Sequence, residues 1–163
     1  MICVITSVDA LLVPLHVSST DLVTGASVCF STGKLHDVLL GSAAIPGLFN
    51  PVTYNKYKLV DGGNLNNLPV NVIGERCDLV IGIHVNKKLI KSEKWFRLQV
   101  IERCFHLAIG RNVAKNAAQC DLLIEPDLSA YSVFDTKFAG QLFYIGYSAL
   151  MMKEEMFVKA VRS

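Results

Sequence analysis

Short apolar runs alternate with turn-forming clusters, and the spacing of the apolar positions changes along the chain. Residues 11–18 (LLVPLHVS) and 26–31 (ASVCFS) read as strands. Pro14 places the first at an edge or a bulge, because proline cannot donate to a ladder. The link between them holds Asp21 and Gly25, both turn formers, so a hairpin is expected. Residues 34–44 carry Leu35, Val38 and Leu39 at helical spacing and stop at Pro46-Gly47. Residues 57–60 form a short strand that runs straight into Asp61-Gly62-Gly63. Asn66-Asn67-Leu68-Pro69 has the composition of a helix start, and the helix is expected to reach about Cys77. Residues 78–85 (DLVIGIHV) are a nearly continuous apolar run, as in a strand buried on both faces. Leu98, Ile101, Phe105 and Ala108 recur at steps of three and four, which predicts a long amphipathic helix over 92–118. A short strand at 121–125 and a final helix from Thr136 to about Val161 complete the pattern. Alternating element types predict an α/β protein, and no repeat or linker divides the 163 residues, so a single domain is expected.

Composition narrows the class. Hydrophobic residues make up 52% and charged residues 18%, against about 25% charged in average soluble chains. That excludes a disordered tail or a highly charged arm. Net charge is +2, far from the strongly basic balance of a nucleic-acid-binding domain, so no nucleic-acid partner is expected. The charge is uneven. Residues 86–116 hold eight basic side chains and two acids, a net of +6, which leaves −4 for the rest. Trp95 and Phe96 interleave with those lysines, so this stretch reads either as the solvated face of a helix or as a peripheral contact with an anionic membrane. The five cysteines are scattered, odd in number and without C-x-x-C. They read as buried free thiols in a reducing, cytoplasmic compartment rather than as disulfides or a zinc site. No lysine or arginine precedes Lys34, so no secretory signal is expected. The longest uncharged stretch, residues 38–55, contains two prolines and two glycines and makes a poor membrane span.

Few residues carry obvious chemistry. Asp61-Gly62-Gly63 at a strand end suits a carboxylate held by a sheet, with glycines permitting close approach. The same three residues also suit an ordinary turn. Ser42 to Phe49 reads as a tight helix-to-loop corner with its two large hydrophobes tucked under a neighbour. His16, His36, His84 and His106 lie far apart, show no ligand spacing and read as structural or surface histidines. Cys104 and His106 stand too close along a helix to share a face. No cofactor or metal is expected. No serine in the 163 residues lies in G-x-S-x-G; Ser27 has a glycine only on its N-terminal side.

Four segments, in order, resemble the patatin-like phospholipase family, in particular its bacterial members. Residues 14–25 (PLHVSSTDLVTG) resemble its strand and TDL-x-TG turn. Residues 41–52 (GSAAIPGLFNPV) resemble its AS-x-AIPG-x-F-x-PV segment, with Gly41 at a usual alanine. Residues 59–70 (LVDGGNLNNLPV) resemble its LVDGG…NLPV segment. Residues 120–128 (CDLLIEPDL) and later Ile145-Gly146-Tyr147 fit its C-terminal pattern. The resemblance implies a partial three-layer α/β sandwich, with a mixed, mostly parallel sheet flanked by helices. It implies a lipid or ester hydrolase working by a Ser–Asp dyad, with Asp61 as the catalytic aspartate and Gly62 and Gly63 completing its motif. The dyad serine would stand in a G-x-S-x-G elbow, near a glycine-rich oxyanion loop.

Neither the elbow nor that loop occurs in these residues, so the resemblance implies the C-terminal part of such an enzyme, inactive alone. Its partners would be a lipid or acyl-ester substrate and the missing N-terminal segment or another copy of the chain. The competing reading is a non-catalytic interaction or regulatory module on the same scaffold, binding a protein or an anionic membrane through residues 86–116.

Overall fold

The structure is a computed structural model. It describes residues 5–85, 100, 107, 110, 113–131 and 136–162. The chain divides into two compact units, residues 1–72 and 73–163.

The first unit is built on a four-stranded antiparallel sheet: β1 (Val17–Asp21), β2 (Ala26–Phe30), β3 (Val52–Tyr54) and β4 (Tyr57–Asp61), in the order β2-β1-β4-β3. The expected hairpin joins β1 to β2, pairing Val17 with Phe30 and Asp21 with Ala26. Its turn closes at Gly25, whose φ of 67° is a left-handed conformation that glycine adopts without a Cβ clash. The backbone N–H of Gly25 donates to the Asp21 carbonyl at 2.9 Å. A second hairpin, β3–β4, is not legible in the apolar pattern. It turns at Asn55, with φ 52°, in the run Tyr54-Asn55-Lys56-Tyr57.

Residues 11–16 do not extend β1 as the sequence suggests. Pro14 has no N–H to offer a ladder, and Leu12 and Val13 are 99% and 75% exposed. The strand starts only at Val17, where β2 provides a partner.

Helix α1 (Leu35–Ser42) lies over the sheet, much as the leucine spacing predicts. Val38 and Leu59 are completely buried, and burying a side chain of this kind contributes about 1.5–3 kcal/mol. Gly41 sits against Leu59 so closely that a Cβ there would meet its Cδ1 at 2.8 Å. On the same unit Phe30 meets Tyr54 and Tyr57 edge-to-face, with centroids 5.5 and 5.7 Å apart.

The expected helix from Asn66 to Cys77 is absent. A four-residue helix, α2 (Gly63–Asn66), ends where that one would begin, so Asn66 closes a helix rather than capping one. Only single 3-10 turns follow, Val70–Val72 and Gly74–Arg76. Pro69, with no N–H to donate, and Gly74 interrupt any longer run.

The second unit pairs β5 (Ile81–Ile83) with β6 (Leu122–Ile124) in parallel. Both strands are shorter than the apolar runs suggest. Leu122, Ile124 and Ala149 form its core, with Ile81, Leu150 and Phe157 packed around them. The expected final helix is two: α3 (Ala139–Met151) and α4 (Glu154–Arg162). At the break, Lys153 donates from Nζ to the Leu123 carbonyl at 2.5 Å, tying the junction to β6. Of the helix expected over 92–118, positions 100, 107, 110 and 113–117 are helical, and the rest lies outside the described residues.

The α/β class therefore holds. Three of the four described strand pairings are antiparallel: the β1–β2 and β3–β4 hairpins, whose short turns can join only antiparallel neighbours, and the long-range β1–β4 pair. Among the described residues no helix is long and apolar enough to cross a membrane. The thiols differ from expectation. Cys29 and Cys77 are exposed, Cys120 is half-buried, and none of the three is in a disulfide. Cys29 lies on β2, an edge strand with an open face; burial pushes the Cys120 thiol up.

Asp21 is the electrostatic tie of the first unit. Its side chain is buried, with the residue 1% exposed. Oδ1 accepts from the N–H groups of Lys58 (3.0 Å) and Val23 (3.3 Å), and Oδ2 from the Thr24 hydroxyl (2.7 Å) and N–H (3.2 Å). The Lys58 N–H, then the Thr24 hydroxyl, hold its pKa below the usual carboxylate value. The stabilisation is complete above the unfolded value of about 3.9 and is lost as pH falls through the lower folded value. Acid titration of folding, followed by circular dichroism, should show this loss below about pH 4. Asp21→Asn should lower the urea midpoint at pH 7 and flatten that acid limb, because its amide sets a donor against backbone donors.

Candidate active site

Asp61 is the last residue of β4, half-buried where the sheet gives way to α2. The polar contacts that fix its backbone come from segments distant in sequence. Its N–H donates to the Ala44 carbonyl at 3.0 Å, in the corner just after α1. Its carbonyl accepts from the Thr20 hydroxyl at 3.1 Å, from the neighbouring strand β1. Gly62 donates to the Ser42 carbonyl at 3.4 Å, and the Ser42 hydroxyl donates to the Ser18 carbonyl at 2.7 Å. The end of α1 and the middle of β1 thus form the bed on which Asp61 and Gly62 lie.

The carboxylate is oriented locally. Oδ1 accepts from the Gly63 N–H at 2.8 Å, closing an Asx turn. Oδ2 has no hydrogen-bond partner among the described residues. A carboxylate fixed through one oxygen and open at the other can accept a proton from a hydroxyl brought against it.

The two glycines have separate reasons to be there. A Cβ on Gly62 would overlap the Ser18 carbonyl, so the chain passes too close to β1 for any side chain. A Cβ on Gly63 would sit 2.9 Å from the Asn67 Oδ1 and 3.1 Å from the Asp61 Oδ1, crowding the carboxylate itself. The backbone at Gly62 is ordinary, with φ −63°; space, not backbone strain, selects glycine there.

The structure brings together three segments singled out in the sequence: the TDL turn through Thr20, the AIPG corner through Ser42 and Ala44, and Asp61-Gly62-Gly63. Thr20, Ser42 and Ala44 carry no individual signal in the sequence; membership of those segments is the only pointer to them. The corner itself departs from its reading. Gly47 turns it with φ 85°, but Leu48 and Phe49 are 56% and 61% exposed rather than tucked away.

Beneath Asp61, β1 is buried along its whole length although four of its five residues are polar. Among the described residues the Ser18 and Ser19 hydroxyls have no partner, each an arrangement that costs roughly 1–3 kcal/mol.

The histidines stand elsewhere. His36 meets Asp37 at 3.1 Å on the surface, and His16 Nδ1 lies 4.0 Å from the Cys29 Sγ. His84 follows β5, is buried, and meets Glu125 at 3.1 Å. His106, Cys104 and most of the basic stretch 86–116 lie outside the described residues. Among the described residues no three His, Cys, Asp or Glu side chains converge as a metal site.

The residues that build this site are also the ones that comparison with known proteins picks out. The family described as patatin-like phospholipase matches residues 4–73, which include the whole bed of Asp61. Over this stretch, which is less than half of the 163 residues, the chain is similar to that family. It is also similar to an uncharacterized NTE family protein of Mycobacterium tuberculosis, 28% identical, with 73% of this chain and 25% of that protein covered. A second NTE family protein of the same species is 37% identical over 49% of this chain and 22% of its own length. Mycobacterium bovis has a protein with the same 28% identity and coverage as the first. The chain therefore spans about a quarter of the length of the curated relatives it matches.

Gly62→Ala should destabilise the protein by about 1–3 kcal/mol, since backbone must move to admit the methyl. Gly74→Ala, where a Cβ meets nothing within 4 Å, should stay within about 1 kcal/mol of the parent. Urea unfolding of the two variants checks the contrast.

Proposed function

We propose that this chain supplies the aspartate of a Ser–Asp dyad in a carboxylic ester hydrolase acting on lipid acyl esters. The observation that carries the reading is the presentation of Asp61: backbone fixed by Ala44 and Thr20, Oδ1 fixed by Gly63, Oδ2 open. The nucleophilic serine belongs to a G-x-S-x-G segment, which the 163 residues do not contain.

As that serine's oxygen attacks the acyl carbon, its proton passes to the Asp61 carboxylate. Backbone N–H donors near the serine hold the tetrahedral oxyanion. Collapse of this intermediate expels the alcohol, which takes the proton back from Asp61. Water then attacks the acyl-serine, with Asp61 accepting its proton, and the carboxylic acid is released as serine is re-protonated. No cofactor enters any step. Similarity of residues 4–73 to the patatin-like phospholipase family supports the substrate class.

The test is complementation. The chain is co-expressed with a G-x-S-x-G-bearing segment of a family relative, and the complex is assayed with a fluorophosphonate probe and a p-nitrophenyl ester. The chain alone should give neither labelling nor turnover; the complex should give both. Asp61→Asn should reduce kcat of the complex by roughly 10²–10⁴-fold, the range of a general base. Full activity in the Asp61→Asn complex would sink the dyad reading. A folded, monodisperse chain that no elbow segment activates would favour the interaction module instead.

A further inference from the structure

Resting on that reading, we propose that Ser19 is a positioning residue for Asp61, its buried hydroxyl serving as a second donor to the carboxylate. Ser19 and Asp61 are direct partners in the antiparallel β1–β4 ladder. Directly opposed residues leave the sheet on the same face, with Cβ atoms about 4.5–5.5 Å apart. The next pair on that face, Asp21 and Leu59, includes the leucine that meets Gly41 of α1, so this is the helix-covered side. Ser19 is 0% exposed and its hydroxyl has no partner among the described residues. Across from it stands a carboxylate whose Oδ2 has no partner among the described residues.

A buried donor without an acceptor thus faces an acceptor without a donor. Buried polar groups in folded proteins are rarely left this way, and each exception calls for a reason. The two groups are not bonded in the structure, and the contact requires rotation of these short side chains. A serine hydroxyl is a free rotor, and each carboxylate oxygen offers two acceptor positions. With Gly63 on one oxygen and Ser19 on the carboxylate as well, its plane is fixed while a position remains for the nucleophile's hydroxyl.

Ser18 is the internal control. Its hydroxyl is also buried and unpartnered, but successive residues of a strand point to opposite faces, so it cannot address Asp61. Both serines would be replaced by alanine at no loss of hydrogen bonding if they were idle. Stability and function therefore pull in opposite directions at Ser19 alone.

Two measurements test this. In the 163-residue chain labelled with ¹³C, the Asp61 side-chain Cγ resonance is compared among parent, Ser19→Ala, Ser19→Thr and Ser18→Ala. Ser19→Ala should move it, Ser19→Thr should bring it back, and Ser18→Ala should leave it in place. In the complemented enzyme, Ser19→Ala should lower kcat roughly 10-fold or more with KM unchanged. Its thermal midpoint should equal or exceed the parent's, and Ser19→Thr should recover kcat. An unmoved Cγ resonance overturns the proposal. So does a fall in kcat that follows a fall in thermal midpoint and is not recovered by Ser19→Thr. If Ser19→Ala moves the resonance but Asp61→Asn leaves kcat intact, the contact stands and the dyad reading fails.

Discussion

A strand buried on both faces must satisfy its backbone through two neighbours and its side chains through whatever lies above and below. In β1 that constraint is severe, because Ser18, Ser19, Thr20 and Asp21 are all polar and all buried. The backbone is met by β2 on one side and β4 on the other. The Asp21 carboxylate is met by four donors, three of them backbone N–H groups. The Thr20 hydroxyl reaches the carbonyl of Asp61. Most other features of the first unit follow from accommodating this strand: the tight Gly25 turn, the register of β4, and the closeness of Gly62 to the Ser18 carbonyl.

The candidate site inherits its geometry from that arrangement. Asp61 is not placed by its own segment alone. Residues about 17 positions before it fix its N–H, and residues about 41 positions before it fix its carbonyl. The β1–β4 register then sets which β1 side chain stands opposite it. A carboxylate held in this way keeps its orientation through backbone contacts, with no ion pair to it among the described residues.

The elements legible in the amino-acid sequence are those with strong local signals. The β1–β2 hairpin carries Asp and Gly at its turn, and α1 carries leucines at helical spacing and a Pro-Gly stop. The β3–β4 hairpin leaves little trace because a strand as short as β3 offers too few positions to show alternation, with Asn55 as the sole marker. The helix expected from Asn66 fails for the opposite reason. Its start signals are real in composition, but Asp61 already initiates a short helix at Gly63, and Pro69 arrives after that helix has ended.

Sequence alone determined the α/β class, the family resemblance and the choice of Asp61-Gly62-Gly63 as the place to look, because propensity, turn chemistry and motif order are written locally along the chain. Only the tertiary structure decided why Gly62 must be glycine, which groups hold Asp61, and that the Ser18 and Ser19 hydroxyls are buried with no partner among the described residues. Those facts depend on which strand lies beside which and in what register. A register is settled by packing between segments tens of residues apart, where a shift of one residue would turn every side chain to the other face.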